Sequence, residues 1–448
     1  MRLPHFYLRA SVPPCETFFA TFALFAAEIA SRTLRTLREI PFRTVVLRRY
    51  LISSNFDLRN DWGCGIIYCM RKNPFLFGPL VSGNDFYDRV EIERQLLRAV
   101  HNGENVLLYG PRRYGKSSLV ARVAESLRRE GRQCICFDMM KVNSLEHFLQ
   151  AYASAALALR SRTSRSLGAL VKFFKGLRPK ISLGDQGEPS LSLDFASPPT
   201  TQTLEDVLAL PESLGREDRR VVVVFDEFQE IGRLSSSLPL ERIFRSVMQR
   251  QRNVSYIYLG SQTHLLKRMF TDAARPFYQS ALVLEIGKPP REESVAFLCH
   301  RFGEIDLKAD GAALDAIVEA SENIPYYLQA LGYEVVELAE VKGKGDIHAA
   351  DVAEALEKCV RRMSGVFETA VEPLSANQRT VLAALAAEPA TGFDAAYRAR
   401  HGLPGYTSIK SALKALESSG LVVSEHRRTG VSNPFFAAWL REPAYTAS

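Results

Sequence analysis

Cysteine is scarce in this chain, and no apolar run is long enough to cross a bilayer. Seven cysteines in 448 residues make an odd number, and none falls in paired CxxC spacing. That argues against a disulfide framework or a cysteine-built metal site and for reduced thiols in a cytoplasmic protein. Cys134 and Cys136 alternate with Ile135 and Phe137, so they read as strand residues, not ligands. The run Thr17–Ala27 is apolar for eleven residues between Glu16 and Glu28, too short for a spanning helix, so no membrane partner is expected. A strong excess of one charge is also missing from most of the chain. The formal net charge is +7, but residues 1–70 hold nine Arg against five acids, leaving only about +3 for the remainder.

What is present is ample apolar content, 46% of residues, enough for two or three domains with real cores. The first 69 residues differ from the rest. They are rich in Arg and could mimic a signal or transit peptide, although no small-residue cleavage site is clear. A start at Met70 explains them more simply, so residues 1–69 are expected to be poorly ordered or loosely packed, with nothing catalytic among them.

Gly110–Ser117, GPRRYGKS, fits G-x-x-x-x-G-K-[ST]. The apolar Asn105–Tyr109 precedes it as a buried strand, and Ser118–Val123 continues as an amphipathic helix. A loop in that setting wraps backbone N–H groups around phosphates at a helix N-terminus, where the dipole favours anions. The candidate nucleotide-binding residues are therefore Gly110, Pro111, Arg112, Arg113, Tyr114, Gly115, Lys116, Ser117 and Ser118. Lys116 is expected to reach the β- and γ-phosphates, and the Ser117 hydroxyl to ligate Mg²⁺.

Arg220–Glu227 is a β-branched run ending in two carboxylates, as expected of a central parallel strand whose carboxyl end faces the nucleotide. Asp226 is expected to hold Mg²⁺, directly or through water. Glu227 is expected to act as general base on the attacking water, a task for a carboxylate free of the metal. Val254–Leu259 reads as the next buried strand and ends in Gly260-Ser261-Gln262. Ser261 or Gln262 is a candidate sensor of the γ-phosphate, and a plain strand-ending turn explains both equally. Arg275, ahead of Pro276-Phe277-Tyr278, could serve as an arginine finger in a neighbouring subunit of a homo-oligomer, and an ordinary surface Arg explains it as well.

The order of elements predicts an α/β domain over 70–288 with a parallel sheet and helices on both faces. Helices are expected at Glu91–Val100, from Ser144 to about Arg160 and around Leu240–Gln251, strands at Gln133–Phe137 and Ala281–Ile286, and a small hairpin near Ile181–Leu193. After Pro289-Pro290, helix-period segments at Arg291–Phe302, Gly311–Ser321, Tyr326–Leu338 and Ala349–Val371 predict a helical lid over 289–372. Residues 373–448 predict a winged helix. Ser375 caps Ala376–Ala387, Phe393–His401 and Tyr406–Ser419 supply two more helices, and Leu421–Val423 opens a hairpin. On the third helix Ile409, Leu413 and Leu416 form the buried stripe and Ser408, Lys410, Ser411 and Lys414 face outward. Lys410 and Lys414, with Arg427 and Arg428 of the wing, could contact duplex DNA. The region holds eight Lys/Arg against five acids, and a protein-interaction module fits that balance too.

Phe86-Tyr87-Asp88-Arg89 with Glu93, GPRRYGKS, Val223–Ile231 (VVFDEFQEI), Tyr258–Gln262 (YLGSQ) and Asn323–Gln329 (NIPYYLQ) together resemble the archaeal ATPase-domain family of AAA+/STAND-type P-loop NTPases. The resemblance covers about 75–440. It implies a Mg-ATP-dependent molecular switch with an unknown protein partner, Phe86 and Arg89 near the adenine, and Pro325 contacting nucleotide from the lid. Asn433–Leu440 resembles the family's C-terminal signature and is expected in the core. Asn323 stands where such proteins usually carry Gly, and Asn also tolerates the left-handed conformation that turn needs. Arg112 and Arg113 then read as loop residues near the phosphates or a subunit boundary. An initiator-like DNA-binding ATPase is the alternative. A P-loop kinase would lack the lid and winged helix.

Overall fold

The computed structural model describes residues 72–78, 89–159, 178–183, 189–194, 198–234, 236–261, 263–425 and 428–442. The expectations for residues 1–69 and for Phe86, Tyr87, Asp88, Gln262 and Arg427 lie outside the described residues.

Helix α1 (Val90–Asn102) leads into strand β1 (Val106–Tyr109), and the phosphate loop joins β1 to α2 (Lys116–Arg129). Strand β2 (Cys134–Asp138) follows, then α3 (Leu145–Ala158), whose N-cap Ser144 accepts from the His147 N–H. An antiparallel hairpin, β3 (Arg178–Leu183) and β4 (Pro189–Asp194), stands where alternation predicts one. Two short helices come next, α4 (Thr201–Leu208) and α5 (Leu210–Leu214). The remaining sheet elements are β5 (Val221–Asp226), α6 (Leu240–Arg250), β6 (Val254–Gly260), α7 (Thr263–Thr271) and β7 (Leu282–Glu285).

Five strands form one parallel sheet in the order β2-β5-β6-β1-β7. Successive side chains point to opposite faces, and the composition of the strands divides accordingly. Leu107, Val221, Val223, Phe225, Tyr256 and Tyr258 pack on one face, with α3, α4 and α6. Val106, Leu108, Val222, Val224, Ile257 and Leu259 pack on the other, with α1 and α2. Burial of both faces explains why these strands read as continuous apolar runs. The chain leaves β1 for β2 at the far edge, with β5 and β6 between them. That crossover puts the loop after β1 at a topological switch point, where ligands bind outside the strands' carboxyl ends.

Beyond Pro290 the chain is mostly helical: α8 (Arg291–Gly303), a two-residue strand β8 (Lys308–Ala309), α9 (Gly311–Ala320), α10 (Pro325–Lys342), β9 (Asp346–Ile347) and α11 (Ala349–Val371). Helix α10 runs one turn past Leu338 to Lys342, with Ala339 buried and the rest of that turn exposed, until Gly343 ends it in a left-handed conformation. The winged-helix layout is α12 (Ala376–Ala387), α13 (Ala395–Arg400), α14 (Tyr406–Ser418) and the hairpin β10 (Val422–Glu425) and β11 (Arg428–Val431), closed by α15 (Pro434–Leu440). Helix α13 is shorter than 393–401, since the Asp394 side chain caps it and leaves Phe393 outside. On α14, Ile409, Ala412 and Leu416 are buried and Leu413 is half-buried, so Ala412 joins the stripe. Phe435, Phe436, Ala437 and Leu440 of α15 are core residues, as expected. Among the described residues no helix is long and apolar enough to cross a membrane, and no cluster of three His, Cys, Asp or Glu could hold a metal ion.

Candidate nucleotide site

Parallel registry brings three strand ends together. Tyr109 of β1 lies opposite Gly260 of β6, and β6 pairs with β5 up to Phe225. The phosphate loop, Asp226-Glu227 and Ser261 each follow one of these ends, so the topology places them in one cleft.

The loop itself needs two left-handed residues, Arg113 at φ 71° and Gly115 at φ 84°. Glycine takes that conformation without strain, whereas Arg113 must be held in it. Its guanidinium lies over the rings of Tyr326 and Tyr327 on α10, 4.4 and 4.9 Å from their centroids, and hydrogen-bonds the Tyr327 hydroxyl. Tyr114 is buried, and its hydroxyl donates to Glu425 Oε2 of β10 at 3.2 Å. Burial first, and then the Glu425 carboxylate, push the Tyr114 phenol up. Arg89, buried at the start of α1, donates to the Tyr114 carbonyl at 3.5 Å.

Lys116 is buried, with Nζ donating to the Gly110 and Pro111 carbonyls, each at 2.7 Å. Desolvation pulls its ammonium down to about 8, against the opposing pull of Glu227 and Asp226. Ser117 Oγ donates to Asp226 Oδ2 at 2.7 Å, while the Glu227 N–H donates to Asp226 Oδ1 at 2.9 Å. Burial raises the Asp226 carboxyl above the usual carboxylate range, partly offset by the Ser117 hydrogen bond. A hydroxyl and a carboxylate that converge while desolvated form a donor set suited to a hard divalent cation, which favours the ionised acid. Glu227 is left-handed at φ 51°, and its carboxylate turns toward β6, where Ser261 donates to it from both N and Oγ. Arg112 Nε donates in turn to Ser261 Oγ at 3.3 Å.

Pro325 occupies the first turn of α10, and Asn323 before it is left-handed at φ 58°. The Asn323 amide donates to the Pro289 carbonyl at 2.7 Å, so Asn323 both adopts the turn and ties it to the segment that precedes α8. Arg275 stands outside the cluster, paired with Glu241 at 2.7 Å. Lys410 and Lys414 are exposed on α14, and Arg428 is exposed on β11. Four participants are missing from the candidate residues read in the sequence: Tyr326 and Tyr327 beneath Arg113, Glu425 against Tyr114, and Gln229 against Glu227. Gln229 lies within VVFDEFQEI and Tyr326 and Tyr327 lie within NIPYYLQ, whereas Glu425 falls in no quoted motif.

A parallel sheet with a phosphate loop at its switch point and an acidic pair at the end of β5, with β6 between β5 and β1, defines a P-loop NTPase fold. Residues 89–257 match the family described as AAA ATPase domain, and residues 365–442 match the family described as probable winged helix domain. No curated protein matches the chain. Among solved structures, the chain is similar to the Walker-type ATPase of Pyrococcus abyssi. The two are 21% identical, with 82% of this chain and 100% of that one covered, at a TM-score of 0.57. The ORC2 protein of Aeropyrum pernix, in ADPNP and ADP complexes, is 18% identical over 81% of this chain and 96% of its own, at 0.48. The RuvB Holliday junction branch migration motor of Thermotoga maritima is 16% identical over 82% and 97%, at 0.40. The chain thus carries an AAA ATPase domain with a winged-helix domain C-terminal to it.

Proposed function

We propose that this protein is a nucleotide-driven switch of the STAND type, in which an ATPase domain at 70–288 signals through a lid at 289–372 to a winged helix at 373–448. One observation carries the reading: consecutive phosphate-loop residues, Arg113 and Tyr114, touch the lid helix α10 and the wing strand β10. A change in the loop on binding phosphates is therefore felt in both at once.

In this reading the loop N–H groups of 110–118 cradle the phosphates of ATP. Lys116 exchanges the Gly110 and Pro111 carbonyls for β- and γ-phosphate oxygens. Ser117 and Asp226 would hold Mg²⁺, which would supply positive charge to neutralise the phosphates in the transition state. Glu227 accepts a proton from water as the water oxygen bonds to the γ-phosphorus, and the bond to the bridging oxygen breaks with its electron pair leaving on ADP. Ser261 links the loop to that carboxylate through Arg112, which suits a γ-phosphate sensor. Arg89 lines the adenine side and Pro325 meets the nucleotide from the lid. The Arg275 pairing with Glu241 favours a surface role over an arginine finger.

The test is the response of the winged helix to nucleotide. Hydrogen exchange in β10 and β11 should differ between ADP and a non-hydrolysable ATP analogue, and Glu425→Gln should shrink the difference. Equal exchange in both nucleotides would leave an ATPase without a switch. The exposed Lys410 and Lys414, four residues apart on α14, support a second reading, an initiator-like ATPase that binds duplex DNA. That reading requires ATP-stimulated duplex binding with a steep salt slope, weakened by Lys410→Ala and Lys414→Ala.

A further inference from the structure

The Glu227 carboxylate is held on one oxygen only. Oε2 accepts from Gln229 Nε2 at 2.5 Å, Ser261 Oγ at 3.0 Å and Ser261 N at 3.1 Å. Among the described residues none donates to Oε1. Ser261 has a further contact in Arg112, but Gln229 commits its amide nitrogen to Glu227 and leaves its own Oε1 buried without a partner. The carboxamide cannot be reversed to satisfy that oxygen, because the oxygen would then face a carboxylate with no hydrogen between them.

The neighbouring strand makes room for this arrangement. A Cβ on Gly260 would lie 2.1 Å from Gln229 Oε1 and 2.8 Å from Leu266 Cδ2. Only glycine at the end of β6 lets the buried carboxamide reach Glu227. A glutamine serving packing alone would gain by pairing both ends, since a buried orphan acceptor costs stability. This one forfeits one end to fix the carboxylate.

We infer that Gln229 is a positioning residue for ATP hydrolysis: by holding Oε2 it keeps Oε1 turned to the attacking water. The inference rests on Glu227 being the general base. It also gives a reason for the left-handed backbone at Glu227, which turns the side chain back over the 3₁₀ turn Phe228–Arg233 that carries Gln229.

Single-turnover hydrolysis of MgATP by the full chain tests it in Q229M, G260A and E227Q, with affinity for a fluorescent ADP measured alongside. Q229M removes the donor, and G260A displaces the carboxamide with its chemistry intact. Both should slow hydrolysis about 10- to 100-fold, the worth of a hydrogen bond to a charged group, with affinity within about twofold of wild type. Both should lower kcat for MgATP and leave KM within about twofold of wild type, because the carboxylate facing the water is displaced while the phosphate contacts stay. Packing damage alone would change kcat and KM together. Wild-type kcat in both variants, with E227Q inactive, would overturn the role of Gln229 and leave the base intact. Loss of nucleotide affinity in both would mark Gln229 as a packing residue and overturn it too. Continued turnover by E227Q would mean instead that the reading of Glu227 has failed.

Discussion

Four non-glycine residues of the nucleotide site, Arg89, Arg113, Glu227 and Asn323, occupy left-handed backbone. Such residues cost of order 1–3 kcal/mol each and persist only where their surroundings hold them. Here the holders are identifiable for three: the lid tyrosines for Arg113, Ser261 and Gln229 for Glu227, and the Pro289 carbonyl for Asn323. The phosphate loop was legible because phosphate geometry dictates its spacing. Its partners were not, since nothing local to Arg113 or Tyr114 points to residues hundreds of positions away. Lys116 carries a prediction at this scale. Its ammonium stands at about 8 in the free protein because it is desolvated, and a phosphate oxygen beside it would raise that value. Between the free and bound values, binding must therefore take up a proton, so ADP affinity should fall as pH rises above about 8. Calorimetry at pH near 9 in buffers of different ionisation heat should show uptake approaching one proton; no buffer dependence would contradict it. Lys116→Ala should abolish nucleotide-induced thermal stabilisation.

Strand β5 shows how an element positions a site. Phe225, one residue before Asp226, is fully buried, with Tyr152, Tyr256 and Tyr258 stacked at 5.6, 6.1 and 6.4 Å and Phe228 tilted at 5.6 Å. That packing fixes the end of the strand from which both carboxylates project. Phe225→Ala should destabilise the domain by about 3–5 kcal/mol, the usual cost of emptying an aromatic core position. The acidic pair should lose its placement as well, so ATP turnover should fall further than the unfolded fraction explains. Chemical denaturation and activity on the same sample separate the two effects, and a fall in turnover equal to the loss of folded protein would rule out the positioning role. The sheet strands were readable as apolar runs, β-branched in β5. Helices α4 and α5, of 8 and 5 residues, were not, because they are too short to display a helical period, and Pro211 interrupts the pattern. Capping chemistry would have found the first, where Thr200 and Thr203 form a capping box.

Across the whole molecule one apolar cluster runs from the outer face of the sheet through the lid to the winged helix. It joins Val224 and Leu119 to Leu331 on α10 and to Phe435 on α15. Tyr327 forms the joint, edge-on to Phe435 at 5.0 Å while its hydroxyl meets Arg113 of the phosphate loop. Burial pushes the Tyr327 phenol up to about 12, with Arg113 pulling the other way, so it stays protonated and Arg113 keeps a neutral partner across ordinary pH. With a shared core and direct contacts to the loop, the winged helix should unfold together with the nucleotide site. The chain has two tryptophans, so Trp62→Phe leaves Trp439 as the sole indole. Trp439 lies on α15, 5.9 Å from the rings of both Phe367 and Phe436, and its fluorescence reports the C-terminal end of that core. Nucleotide at about 100 times its Kd stabilises the site by about 2.7 kcal/mol. If the core is one cooperative unit, the Trp439 melting transition should rise by the same number of degrees as the loss of nucleotide binding. Tyr327→Ala should separate the two transitions by removing the joint. A Trp439 transition that ignores nucleotide in the wild-type background would show the winged helix to be thermodynamically independent, and a switch working through α10 and β10 could not then operate.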